Sequence, residues 1–286
     1  LEQGRNRPRF RPKKRFGQNF LHDRGIAAKI VDAASVRESD TVVELGPGHG
    51  VLTRLIAERN PRLVALELDR DLAAELAAGF DLERGADSEA RKRIEILEVD
   101  FTTVTLAGLL DERGHERCVL IGNIPYYLTR NVLFDFLVEE RERVARAVIM
   151  MQREVGDRIT SPPGSRVYGI PSVVLQSLYD IRVVTKVAAG AFHPRPQVAS
   201  IVLSFTPLSE PLVSPDELRP FVQLVKNLFQ QRRKTIHNTL RAFYPPAEGD
   251  LARIAATAEV DLQARPEALT KEQFLALSRA LATVSS

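Results

Sequence analysis

Val42-Val43-Glu44-Leu45-Gly46-Pro47-Gly48-His49-Gly50-Val51-Leu52-Thr53 joins an apolar, β-branched run to three glycines at alternate positions. An amphipathic start follows, with Val51, Leu52, Leu55 and Ile56. The pattern predicts a buried strand, a tight turn and a helix. Glycine in such a turn permits positive φ and lets a ligand approach the backbone. The helix start adds free backbone N–H groups. Taken alone, this is an ordinary glycine-rich βα turn. The next predicted strand, Arg62 to Glu67, ends in an acid close to the ~20-residue spacing at which a βαβ unit presents a ribose-binding carboxylate. The two signals together point to an adenosine-bearing ligand.

The bulk numbers narrow the class. At 286 residues and 44% hydrophobic, the chain is long enough for one large domain or two ordinary ones. The single cysteine, Cys118, excludes an internal disulfide framework or a cysteine-based metal cluster. It fits a reducing, cytoplasmic setting. No apolar run approaches the ~20 residues that span a bilayer. The basic, polar start does not read as a signal peptide. Because the chain begins at Leu1, with methionine only at Met150 and Met151, its start is expected to be a remnant or a truncation. Net charge is +3, yet Arg5, Arg7, Arg9, Arg11, Lys13, Lys14 and Arg15 crowd the beginning. Residues 1–15 read as a disordered basic tail, either solubilising or phosphate-binding.

Along the chain, strands at 41–45, 62–67, 94–99, 118–122 and 146–151 alternate with helices, including 51–59, one ending near Phe80, and 129–138. Residues 81–93 read as a surface loop and 156–169 as a long loop, followed by a helix at 171–178. Runs 181–187 and 198–205 look like an antiparallel pair closing the sheet. This is an α/β class: a Rossmann-like, mostly parallel sheet with an antiparallel edge. Beyond about 206–212 the pattern is helical, in four pieces. Ser214-Pro215-Asp216-Glu217 and Thr270 with Gln273 are helix-start signals. The expected division is 16–207 for the α/β domain and 208–286 for a small all-α domain.

Four strand ends then line up, at Glu44/Gly46, Glu67, Asp100 and Asn123, where open parallel sheets bind ligands. Glu67 can accept from two ribose hydroxyls. Asp100 can accept from an adenine amine, with Phe101 offering an apolar face. Asn123-Ile124-Pro125-Tyr126 is the most specific stretch. It suits a planar base with an exocyclic amine, whose lone pair is delocalised into the ring. The Asn123 side-chain oxygen and a backbone carbonyl can accept from that amine, Pro125 stiffens the turn, and Tyr126 can stack on the base. A polynucleotide base must leave its stack to reach such a pocket.

The set GQNFL, ELGPGHG, LELD, VDF, GNIPYY and FHPRPQVAS, in this order, resembles the S-adenosylmethionine-dependent rRNA adenine N6,N6-dimethyltransferases over about residues 15–285. Met151-Gln152-Arg153-Glu154-Val155 through Pro163-Gly164 to Tyr168-Gly169 favours the KsgA type of the small subunit over the Erm enzymes of the large subunit. So does Phe229-Gln230-Gln231-Arg232-Arg233-Lys234-Thr235-Ile236. The resemblance implies S-adenosylmethionine as cofactor. Gln18, Asn19, Leu21, Glu44, Gly46, Gly48, Glu67, Leu68, Asp100, Phe101 and Asn123 would then hold it, with Glu44 near its amino-acid end. Asn123, Ile124, Pro125, Tyr126 and Phe192 would handle the target base. Departures are His49 in a variable slot, Ile124 for a commoner Leu, and Ile170-Pro171, which leaves that helix start open.

The implied reaction is dimethylation of two adjacent adenosines in the 3′-terminal hairpin loop of small-subunit rRNA, with a role in subunit biogenesis. Its partner would be the precursor small subunit, and the enzyme a cytoplasmic monomer. Arg153, Arg158, Arg232, Arg233 and Lys234 are the expected RNA contacts, although such a cluster can also be a solvated face. No metal site is expected, and neither His49 nor His193 is needed as a base. Three other readings remain: an Erm-type enzyme, an assembly factor acting mainly by binding, and an oxidoreductase sharing the glycine turn. The oxidoreductase leaves Asn-Ile-Pro-Tyr and Phe-His-Pro-Arg-Pro unexplained.

Overall fold

A computed structural model of the chain describes residues 19–59, 61–84, 88–244 and 250–284. The basic tail and Gln18 lie outside the described residues. The elements in order are β1 (Phe20–Leu21), α1 (Arg24–Ala34), β2 (Thr41–Leu45), α2 (Val51–Ala57), β3 (Arg62–Glu67), α3 (Arg70–Arg84), α4 (Glu89–Lys92), β4 (Ile94–Glu98), α5 (Leu106–Asp111) and β5 (Cys118–Asn123). Then come α6 (Thr129–Asn131), β6 (Val144–Gln152), α7 (Arg153–Ile159), α8 (Ile170–Gln176), β7 (Tyr179–Val187), β8 (Phe192–His193) and β9 (Ser200–Pro207). Helices α9 (Pro215–Gln230), α10 (Ile236–Phe243), α11 (Asp250–Ala258) and α12 (Lys271–Val284) complete the chain.

The large sheet runs β4-β3-β2-β5-β6-β9-β7. Strands β4 to β6 pair in parallel, and β9 is antiparallel to both its neighbours. The expected antiparallel pair is therefore present, with the later strand slotted inside and β7 left at the edge. Strand β2 is buried along its whole length, its Val42, Val43 and Leu45 packed in the core and Glu44 buried with them. Its side chains alternate. Val43 and Leu45 join one apolar cluster, together with α5 and α8, that continues into α9 to α12. Val42 joins the other, beneath α1, α2 and α3. The chain winds outward from β2 to β4, then returns to β5 on the other side. The crevice between the ends of β2 and β5 is the topological switch point, where such sheets bind ligands.

Several local expectations shift. Helix α3 runs on to Arg84, and α4 occupies part of the expected loop. Arg91 holds that segment by donating to Asp81 and to the Ile94 carbonyl, each at 2.6 Å. Helix α7 takes the start of the other expected loop. Its Gly156 packs so tightly that a Cβ there would sit 2.2 Å from Ile201 Cγ2. The expected helix 129–138 begins with a 3-10 turn at Tyr126–Leu128, passes through α6 and continues as a π-helix, Val132–Glu139. Glu140 follows it, and its carboxylate accepts from the amides of Leu106 and Ala107 at 3.0 and 2.7 Å, capping α5. At α8, Pro171 is accommodated in the first turn, where an N–H has no helical partner to lose.

The C-terminal helix starts follow their sequence signals. Glu217 accepts from the Ser214 hydroxyl at 2.8 Å, and Thr270 and Gln273 bond reciprocally. Phe274, Leu277 and Leu281 face the core together. Among the described residues, no helix is long and apolar enough to cross a membrane.

Candidate active site

A cavity opens at the switch point. Its walls come from the ends of β2, β3 and β5, from Phe101 beyond β4, and from Asn19, Phe20, Leu21 and Phe192. The last three reach it through a small second sheet, which Asn19 immediately precedes. Strands β1 and β8 pair antiparallel, Phe20 opposite His193 and Leu21 opposite Phe192. Residues remote in sequence thus form one wall.

The glycine turn shapes the floor. Gly46, Gly48 and Gly50 all have positive φ, of 65°, 55° and 76°. At Gly48 a Cβ would lie 2.9 Å from Phe20 Cδ1, so glycine is needed for both conformation and space. The turn also holds Glu67: the Gly48 amide donates to Oε2 and the Asp69 amide to Oε1, each at 2.9 Å. Burial pushes the Glu67 carboxyl above its ordinary range, partly offset by these two backbone bonds. Each oxygen keeps a lone pair for a ligand hydroxyl.

Glu44 differs. It is 1% exposed, and neither carboxylate oxygen has a hydrogen-bond partner. Burial, with the negative charge of Glu67 adding, raises its pKa to about 8, and the nearby Thr53 hydroxyl offsets part of this. A buried acid without a partner is costly, so a wall that carries one fits a ligand with a hydrogen-bonding cation. No Lys or Arg lines the cavity among the described residues; Glu44, Glu67 and Asp69 do. Such a wall suits a cation and repels phosphates.

At the end of β5, Asn123 donates from Nδ2 to the Asn19 carbonyl at 3.3 Å. Its Oδ1 is left as an acceptor. Ile124, Pro125, Tyr126, Tyr127 and Leu128 continue this wall, and the Tyr126 hydroxyl bonds Ser200 at 3.2 Å. Leu68, 38% exposed, and Phe101 flank the other end.

The structure thus brings together every described candidate for cofactor and base except Asp100. That carboxylate is turned to its own loop: Oδ1 accepts from the Thr102 amide at 2.9 Å and hydroxyl at 2.7 Å, capping the turn Phe101–Thr103. Phe101 supplies the wall there. Sequence reasoning did not single out Phe20, Asp69 or Tyr127 as site residues. Phe20 also stacks near His49, with ring centroids 4.5 Å apart. The adjacent Tyr126-Tyr127 pair was the available signal for Tyr127, which is 56% exposed at the cavity mouth.

The RNA candidates lie elsewhere. Arg153 pairs with Asp157 at 3.4 Å and Arg158 with Glu154 at 3.3 Å on the exposed side of α7. Arg232 donates to the Arg166 carbonyl at 2.8 Å and lies 3.7 Å from Glu267. Arg233 and Lys234 are exposed and, among the described residues, make no ion pair.

Comparison with known proteins agrees with this geometry. A family model described as ribosomal RNA adenine dimethylase matches residues 9–283. Ribosomal RNA small subunit methyltransferase A of Geobacter metallireducens is 40% identical over 273 residues, covering 95% of this chain and 96% of that protein. The crystal structure of the 23S rRNA methyltransferase ErmE is similar with a TM-score of 0.69 and 27% identity, over 92% of this chain and all of that one. A dimethyladenosine transferase from Plasmodium falciparum shares the fold at a TM-score of 0.73 and 22% identity, over 90% and 95% of the two chains. The chain belongs to the ribosomal RNA adenine dimethylase family and is an rRNA adenine dimethyltransferase.

Proposed function

We propose that this enzyme transfers methyl groups from S-adenosylmethionine to the N6 amines of two adjacent adenosines in the 3′-terminal hairpin loop of small-subunit rRNA, and that it acts during small-subunit biogenesis. The observation that carries the cofactor assignment is the cavity wall. Three acidic side chains and, among the described residues, no Lys or Arg favour a ligand whose ends are an ammonium and a sulfonium over a phosphate-bearing dinucleotide. Glu44 would meet the ammonium and Glu67 the ribose hydroxyls. Leu68 and Phe101 would face the adenine, with Asp100 at the rim. When bound, S-adenosylmethionine supplies an electrophilic methyl group.

The chain's own residues then position the amine. Asn123 Oδ1 would accept one amine hydrogen and hold nitrogen's lone pair towards the donor. Tyr126 and Phe192 would bracket the base from opposite walls of the cavity. Positioning of this kind, with dipoles fixed in advance, lowers a barrier without a dedicated base.

The 40% identity to a small-subunit methyltransferase favours the small subunit as target. We further assign residues 208–286, with Arg233 and Lys234, to RNA contact, and expect a cytoplasmic monomer bound to the precursor subunit. Mapping dimethyladenosine in rRNA from cells with and without the gene tests the target. Loss of both adjacent modifications from the small subunit is expected; loss of a single large-subunit modification would replace this reading with the Erm-type one. Growth and subunit maturation in an Asn123→Ala strain, compared with a deletion, separates catalysis from a binding role.

A further inference from the structure

Among the described wall residues, Glu44 is a fully buried acid with neither carboxyl oxygen hydrogen-bonded. Helix α2 offers the Thr53 hydroxyl, which is itself buried without a hydrogen bond. Strand β3 ends in Glu67, whose oxygens are held by the Gly48 and Asp69 amides. Asp69 lies just beyond, His49 is in the glycine turn, and β5 contributes the neutral Asn123. The charged neighbours are thus mostly acids. Glu67's negative charge opposes ionisation of Glu44, and among the described residues no Lys or Arg on the wall relieves it. An isolated buried charge is avoided by taking up a proton.

We propose that Glu44 exchanges a proton with solvent each time the methyl donor binds: it is a neutral carboxylic acid in the ligand-free protein and an anion when an amino-acid ammonium enters the cavity. This rests on reading the cavity as the S-adenosylmethionine pocket. The balance is simple. The carboxylic O–H bond breaks, the proton leaves to buffer, and the carboxylate pairs with the incoming ammonium. No electrons move between partners. Because binding releases a proton, affinity must rise with pH. The slope approaches tenfold per pH unit below the ligand-free pKa of about 8, and affinity falls again once the ligand's own ammonium loses its proton. Spent donor leaves by the reverse step, taking a proton back into the wall. The amino-acid end is therefore read by charge transfer to solvent as well as by fit.

The test is calorimetric titration of the full chain at pH 7 in two buffers of different ionisation enthalpy. The probes are S-adenosylhomocysteine, which keeps the amino acid, and methylthioadenosine, which lacks it. The expected result is release of close to one proton with S-adenosylhomocysteine and none with methylthioadenosine. A Glu44→Gln chain should release none with either, and a His49→Gln chain should still release it. Binding of S-adenosylhomocysteine with no buffer-dependent heat would overturn the proposal while leaving the cofactor assignment intact. Equal proton release with methylthioadenosine would also overturn it, since the proton would then come from another group. Failure of both ligands to bind would overturn the cofactor assignment and this inference with it.

Discussion

The strand-end cavity and the basic turn at 231–235 treat charge in opposite ways. The cavity wall carries acids and no Lys or Arg among the described residues, and backbone partners fix both Glu67 oxygens and Asn123 Nδ2. The basic turn carries cations, of which Arg232 is tied to its neighbours while Arg233 and Lys234 reach solvent. The difference matches two ligands of opposite sign. A small cation needs a pre-set, dry contact, whereas a polyanion needs cations that can adapt along its backbone. One chain can hold both only if the charges are kept apart.

Substitutions break or sharpen that contrast. The largest effect is expected for Asn123→Ala, which removes the fixed acceptor at the base end. Methyl transfer in single-turnover assays should fall by about 10²- to 10³-fold, with RNA affinity changed less than about twofold. Glu67→Ala comes next. It removes an anchored carboxylate and strands two amides, at Gly48 and Asp69. Affinity for S-adenosylhomocysteine should weaken by about 10- to 100-fold by calorimetry, again with RNA binding little altered. Gly48→Ala should cost about 1–2 kcal/mol in urea unfolding, through its positive φ and the contact with Phe20, and weaken the ligand as well. In the basic turn the effects are smaller and of another kind. Arg233→Ala or Lys234→Ala should each lower the salt slope of RNA binding by about one and leave the cavity ligand untouched. Arg232→Ala should change that slope less. A change in cofactor affinity from the turn variants would collapse the distinction between the two regions.

The cavity was readable from the sequence because its elements carry local signatures. Alternate glycines, an acid at the next strand end and an Asn-Ile-Pro-Tyr turn each demand one backbone geometry. What was missed depends on contacts between distant residues. Gly156 looks like a loop residue until Ile201 is placed against it. Helix α7 is otherwise signalled only by Arg153–Asp157 and Glu154–Arg158 spacing, which is also that of any solvated segment. The π-helical stretch Val132–Glu139 has the same apolar periodicity as an α-helix within the error of a short window. The sequence offers Asp100 to an adenine amine, and in the structure its Oδ1 caps its own turn. An acid followed by Thr102 and Thr103 supports that local use equally well. Phe20 reaches the site only through its pairing with β8, for which two-residue strands leave no sequence pattern.

That pairing of Phe20–Leu21 with Phe192–His193 has a thermodynamic consequence. Both strands line the cavity, one through Phe20 and Leu21 and the other through Phe192, which the proposed function assigns to the target base. Neither can shift without pulling on the hydrogen bonds of its partner. With donor and base bound at these two walls as proposed, order that one imposes on this small sheet would be inherited by the other, and the advantage would be equal in both directions. An enzyme that must refill its donor between successive transfers to the same nucleotide would then carry that coupling in its architecture.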